Sequence, residues 1–323
     1  MKKNHFFLYL FGGAFVILFL VGVLASLMAG NFGDGIKSKE RIAVVEVKGF
    51  ITGGESGSNI FGEKFAGSDT LMRYIRKAAA DTSIKALLLH INSPGGSVSA
   101  TEAVYREVLR FKEKTGKPVL AVMEDVAASG GYYIAVGADE IYANPATVTG
   151  SIGVIMQFRN YQELYDKYGI KIETIKSGKY KDIGNPARGL TKDERELLQT
   201  LVDQMYERFV KAVMEGRGMS KEEVLKLAQG QIYSGIQAQE LNLVDHLGNF
   251  YDAVDYLAKK VGIKGEPVLV YYTKPSPLER LFSGLAKAII SVLGESVNDA
   301  GPGMMLIEKS LQMPGAGNLQ LIY

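Results

Sequence analysis

A serine ringed by small residues is the first place where this chain could do chemistry. In Ala127-Ala128-Ser129-Gly130-Gly131-Tyr132-Tyr133 the neighbours leave room for a substrate, and Gly130 offers an unobstructed N–H beside the hydroxyl. The same pattern also suits a helix packed tightly on a sheet, with Ser129 as its N-cap. It is not the Gly-x-Ser-x-Gly elbow of the α/β-hydrolases. A second stretch, Asn92-Ser93-Pro94-Gly95-Gly96-Ser97, lies between an apolar run and a helix start. Its glycines bring backbone N–H groups close to whatever sits there. Such donors can hold an oxyanion, cradle a phosphate or simply close a tight turn.

A serine nucleophile needs a base. The chain has three histidines, His5, His90 and His246. His5 precedes a long apolar run, His90 lies inside an apolar strand, and His246 sits near a helix boundary. None carries a motif. Without a His-x-x-x-His pair or any cysteine, thiol catalysis, disulfides and a zinc hydrolase site are excluded, and no metal or cofactor is expected. Lysine is the other candidate. Lys176-Ser177-Gly178-Lys179-Tyr180-Lys181-Asp182 holds three of them. A lysine serves as base only when burial or cationic neighbours bring its pKa from about 10.4 towards 7–8. Lys179 and Lys181 share a face if the segment is extended, so periodicity does not separate them.

The elements that must position these residues read as α/β. Residues 42–47 (IAVVEV) and the nearly continuous apolar run 84–91 are strands, with a Gly/Ser-rich mobile loop over 53–67 and a helix over 69–80 between them. After Gly95-Gly96, Ser99 and Glu102 form a capping box for a helix that Gly116 ends, and residues 118–123 return as a strand. This βαβ unit implies a parallel sheet flanked by helices. Short strands are expected at 140–143 and 172–175. Capping boxes at Thr191/Glu194 and Ser220/Glu223 then open two helices, and a third spans about 249–261.

With 323 residues, 47% of them hydrophobic, the chain can bury a sizeable core, and a net charge of +2 argues against a nucleic-acid partner. Residues 6–28 carry no charge. As a helix of about 34 Å they would span a bilayer core of roughly 30 Å, and they are too long for the apolar region of a cleaved signal peptide. Lys2 and Lys3 before this run put the short N-terminus in the cytoplasm and the rest outside. Residues 1–29 are thus a stub and transmembrane anchor, 30–41 a linker, 42–262 the main domain and 263–323 a C-terminal extension. In the extension Leu278, Leu281, Phe282, Leu285, Ile289 and Leu293 form an apolar helical stripe. It packs on its own domain, on another subunit or on a membrane surface.

Four segments occur in order: INSPGGS at 91–97, AASGGY at 127–132, TGSIG at 149–153 and SGKYKD at 177–182. Together, over residues 42–262, they resemble the signal peptide peptidase A (protease IV) family in its half-length, single-domain form. The resemblance implies a Clp protease/crotonase-like α/β fold and a serine endopeptidase with a Ser/Lys dyad. Carried over by motif, Ser129 is the nucleophile, Lys181 the base and Ser151 the residue that orients the lysine. The N–H groups of Gly96 and Gly130 form the oxyanion hole. It also implies remnant signal peptides and other apolar, unfolded peptides as substrates. A homo-oligomer, an octamer for a half-length chain, would form its active sites between subunits on the membrane. A crotonase-type acyl-CoA enzyme and a non-catalytic membrane scaffold share the fold and stand as alternatives.

Overall fold

The computed structural model describes residues 40–59 and 61–272. The anchor at 6–28 and the apolar stripe and tail of the extension lie outside the described residues. Among the described residues no helix is long and apolar enough to cross a membrane.

The apolar runs form the strands of one sheet. Strand β1 (Arg41–Lys48) is followed by three short strands, β2 (Phe50–Thr52), β3 (Gly57–Ser58) and β4 (Lys64–Gly67), which make a small sheet of their own. Helix α1 (Ser68–Ala80) leads to β5 (Ile84–Ser93), then α2 (Val98–Thr115), β6 (Val119–Ala128), the short α3 (Gly130–Ala135), β7 (Glu140–Ala143) and β8 (Val148–Gly150). The one-turn α4 (Gln162–Lys167) precedes the long α5 (Lys192–Arg217), then α6 (Lys221–Leu227), β9 (Ile232–Ser234), α7 (Gly235–Glu240), β10 (His246–Leu247), α8 (Phe250–Lys260) and β11 (Val268–Tyr271).

The main sheet runs β10-β7-β6-β5-β1-β11, all parallel. The first half of β6 pairs with β7 and its last three residues pair with β8, to which β9 adds antiparallel. Alternation decides which side chains go where. Val45, Val47, Leu87, Leu89, Ile91 and Met123 face α1, α2, α3 and α5, while Val44, Ala86, Leu88, Leu120 and Val122 face Ala253, Val254 and Leu257 of α8. Each fully buried Leu or Ile contributes about 1.5–3 kcal/mol, so both faces of β5 hold the core together.

Four expectations change. Residues 172–175 form no strand: Ile172 and Ile175 are exposed, and among the described residues no strand pairs with them to take up their backbone groups. Helix α2 starts at Val98 with Ser97, not Ser99, as N-cap and no side-chain capping bond; the Ser97 and Ser99 hydroxyls bond each other, and Glu102 is engaged by Tyr133. The loop at 53–67 contains β3 and β4, an antiparallel pair. The sheet also continues beyond residue 262, since β11 pairs with β1. The capping boxes at Thr191/Glu194 and Ser220/Glu223 form as expected, opening α5 and α6.

Candidate active site

The site is built where β5, β6 and β8 end on the same edge of the sheet. Ser129 directly follows β6 and is the N-cap of α3, but its side chain makes no capping bond. Its backbone takes φ 50° and ψ −117°, a strained conformation for a residue with a Cβ. Two bonds hold it there: Ser129 N–H donates to the Gly150 carbonyl at 2.8 Å, and Tyr133 N–H donates to the Ser129 carbonyl at 2.9 Å. Below it Tyr132 is fully buried and donates its hydroxyl to the Leu243 carbonyl at 2.9 Å. Among the described residues no hydrogen bond engages the Ser129 hydroxyl.

Ser151 comes beside it through register. Ala128 pairs with Gly150 at the end of the β6/β8 ladder, so Ser129 and Ser151 are the next residues of two adjacent parallel strands. Ser151 also has φ 50°, held by its N–H donating to the Gln231 carbonyl at 2.8 Å.

The Gly95-Gly96 turn closes the other side. Gly95 has φ 103°, and a Cβ built there would lie 2.7 Å from the Gly130 nitrogen and 2.9 Å from the Ser129 Cβ. Only glycine allows that approach. A Cβ built on Gly130 would lie 3.3 Å from the Gly96 nitrogen and 2.6 Å from Thr101 Oγ1. The N–H of Gly130 opens α3, where no preceding turn supplies an acceptor. Ser129, Gly130, Gly96 and Ser151 are thus brought together.

Lys181 is not. It is exposed in a stretch without helix or strand, and among the described residues it has no ion pair and no hydrogen bond to Ser129 or Ser151. Its loop is nonetheless anchored. Arg188 reaches Asp182 at 2.9 Å and Glu194 at 2.6 Å, tying the loop to the start of α5, and Arg188 with Lys176 holds the Asp182 carboxyl well below the usual range. Lys179 is ion-paired with Asp193, which raises its pKa and favours the charged form over the neutral amine that a base needs.

His90 and His246 serve structure. His90 is buried on the α8 side of the sheet, its ring tilted 38° to that of Phe250 with centroids 4.6 Å apart. Its Nε2 lies 2.6 Å from a Glu124 oxygen but out of line for a hydrogen bond, and burial pulls its pKa down. His246 bonds Glu140 at 2.6 Å. Among the described residues no cluster of His, Asp and Glu is arranged to hold a metal.

At the start of α2, next to the Gly95-Gly96 turn, opens a cavity of about 430 Å³, walled by Ser97, Val98, Ile155, Met156, Met205 and the Tyr133 ring. Glu102 lines it too, accepting from the Tyr133 hydroxyl and from Arg208. Burial, and then this carboxylate, push the Tyr133 phenol up. Sequence reasoning gave Glu102 only a capping role and assigned none to Tyr133, Arg208 or Thr101, because their contacts depend on helices α2, α3 and α5 meeting in space.

The model of peptidase family S49 matches residues 111–264, and that of the Clp proteases matches residues 66–149. A protease of Methanocaldococcus jannaschii is 37% identical over 84% of this chain and 87% of its own length. The chain belongs to peptidase family S49, the signal peptide peptidase SppA family. An Enterococcus faecium protein named as a signal peptide peptidase SppA is 37% identical over 72% of this chain and 67% of its own. Protease 4 of Haemophilus influenzae is 41% identical over 67% of this chain but only 34% of its own length, so the chain spans about a third of that relative. The S49 match includes Ser129, Ser151 and Lys181, and the Clp match includes Gly96, Ser129 and Gly130. Members of this family are peptidases, and the fold is the Clp protease-like α/β fold.

Proposed function

We propose that this S49 peptidase is a membrane-anchored serine endopeptidase working through Ser129 and Lys181. The observation that carries this reading is the strained Ser129, held between the Gly96 and Gly130 amides with Ser151 alongside. Ser129 Oγ adds to the scissile carbonyl carbon as its proton passes to a neutral lysine amine. The carbonyl oxygen takes up negative charge facing the Gly96 and Gly130 N–H groups. Collapse expels the amine, which receives that proton, and water then hydrolyses the acyl-enzyme.

The base arrives from a second copy. A lysine base requires desolvation, and Lys181 is exposed in the single chain. The same arm presents Ile155, Tyr168, Ile170, Ile172 and Ile175 to solvent, a surface suited to a neighbouring subunit. In this reading the chain forms an octamer with dyads between subunits, and Ser151 orients the incoming amine. Residues 6–28 anchor the ring, with its catalytic domains outside the cytoplasm. The apolar cavity lined by Ser97, Val98 and Tyr133, which follow the Gly95-Gly96 turn and Ser129 in the chain, suits side chains of remnant signal peptides and other unfolded apolar segments.

The test is complementation with the full-length chain on an apolar fluorogenic peptide. Ser129→Ala and Lys181→Ala should each lose activity, while Lys179→Ala keeps most of it. Mixing the two inactive variants should restore a fraction, because some interfaces pair an intact Ser129 with an intact Lys181. Full activity in Ser129→Ala sinks the nucleophile, and no recovery on mixing sinks the shared site.

A further inference from the structure

The Gly95-Gly96 turn is held from behind by contacts in which the proposed chemistry has no direct part. Residues 95–97 run parallel to β2. Ile51 N–H donates to the Gly95 carbonyl at 2.8 Å, and Ser97 N–H donates to the Ile51 carbonyl at 2.8 Å. In such a parallel bridge the flanking residues bond to the partner strand, and the central residue turns its own N–H to the opposite side. That residue is Gly96, and the opposite side carries Ser129 and Gly130. A Cβ on Gly96 would meet the Ile51 carbonyl oxygen at 2.1 Å, so the two backbones are in direct contact.

One side chain fixes the turn to the sheet. Ser93, the last residue of β5, is fully buried. Its hydroxyl donates to the Gly49 carbonyl at 2.6 Å and accepts from the Gly95 N–H at 3.2 Å. Gly49 N–H in turn donates to the Asn92 carbonyl at 2.9 Å. The hydroxyl therefore joins the entry to β2 and the first amide of the turn. Helix α3 packs directly on this residue, since a Cβ on Gly131 would lie 2.7 Å from the Ser93 carbonyl oxygen and 3.5 Å from its Cβ. Proline at 94 contributes no N–H, and among the described residues the Ser93 hydroxyl is the side chain that bonds the backbone of this turn.

We propose that Ser93 is a positioning residue for the oxyanion hole: its hydroxyl locks the turn so that the Gly96 N–H is already aimed where negative charge develops. This rests on the reading of Ser129 as nucleophile and Gly96 as oxyanion donor. Loss of the hydroxyl leaves the Gly49 carbonyl and the Gly95 N–H seeking new partners, and the turn shifts. The ground-state complex is little affected. The tetrahedral state, which alone needs the aligned donor, is weakened.

The test uses the full-length chain, an apolar fluorogenic peptide, a peptide aldehyde that Ser129 converts to a tetrahedral hemiacetal, and an uncleaved product peptide. In Ser93→Ala, kcat should fall about 10- to 100-fold, the scale of a small misplacement at a reacting centre. KM and the product inhibition constant should stay within about twofold, while aldehyde inhibition weakens by the same factor as kcat. Ser93→Cys puts a weaker, slightly larger donor in the same place, should fall between, and supplies the same comparison if Ser93→Ala does not fold. A folded variant whose aldehyde inhibition is unchanged, or whose KM and product binding shift along with kcat, overturns the proposal. Ser129→Ala, run in parallel, separates the two ideas: full activity there removes the nucleophile itself, whereas its loss beside an unaffected Ser93→Ala removes only the role of Ser93.

Discussion

At Ser129 the backbone accepts a positive φ because the surroundings over-determine it: the β6/β8 ladder delivers the Gly150 carbonyl to its N–H, and the first turn of α3 takes its carbonyl. The neighbouring glycines are needed for contact distance as much as for dihedral freedom. In Gly130→Ala the new methyl would stand 2.6 Å from Thr101 Oγ1 and 3.3 Å from the Gly96 nitrogen, wedging the two amides apart. We expect kcat to drop about 100-fold or more in a folded protein. Thr101 is buried and its hydroxyl has no hydrogen-bond partner among the described residues, so Thr101→Ala in the same chain should relieve the wedge and recover part of the loss. An unchanged kcat in Gly130→Ala would show that the two amides do not act as a pair.

Among the elements, the far end of the sheet is tied by a carboxylate. Glu140 opens β7 and accepts from His246 of β10 at 2.6 Å, from Tyr256 of α8 at 2.7 Å and from Lys260. Burial pushes its pKa up, but the bonds from Lys260, His246 and Tyr256 outweigh that and hold it at about 2, below the ordinary 4.5. A folded value below the unfolded one means stability that is complete above about pH 4.5 and is lost as the pH falls towards about 2. The full shift corresponds to about 3 kcal/mol, and partial solvent exposure brings the expected contribution nearer 1 kcal/mol. Urea midpoints of wild type and Glu140→Gln should differ at neutral pH and converge across that acid window. A difference that does not change with pH would assign the effect to packing.

For the whole molecule, the stretch between Ile152 and Thr191 makes no use of the core its own domain provides. Ile155 is 82% exposed, Tyr168 68% and Ile172 51%, a pattern a lone soluble domain rarely keeps. If a second copy covers this arm, Ile172→Asp with Ile175→Asp should dissociate the oligomer and abolish activity. The domain's thermal midpoint should move little, because no core contact is lost. Sedimentation velocity beside the peptidase assay reads both effects. An intact oligomer carrying both aspartates would place the interface elsewhere.

Strands β1, β5 and β6 were legible in the sequence because strands covered on both faces must be apolar almost throughout, and the helices α5 and α6 because their capping boxes are local bonds between residues three apart. Ser129 and the Gly95-Gly96 turn were legible for a similar reason: close backbone approach demands small residues, and small residues next to a serine leave a mark in the chain. The motif order alone pointed to Lys181 rather than Lys179, and the fold adds that Lys179 is engaged by Asp193. Other features had no local signature. Nothing in residues 93–97 says that β2 lies against them, since Ile51 reaches Gly96 only once β1 has crossed the sheet beside β5. Glu102 fits a capping box by spacing, yet it turns to Tyr133 and Arg208, partners 31 and 106 residues away. The apolar residues at 172 and 175 have the composition of a strand, but a strand also needs a neighbour's backbone, and whether one is within reach is decided by the tertiary structure.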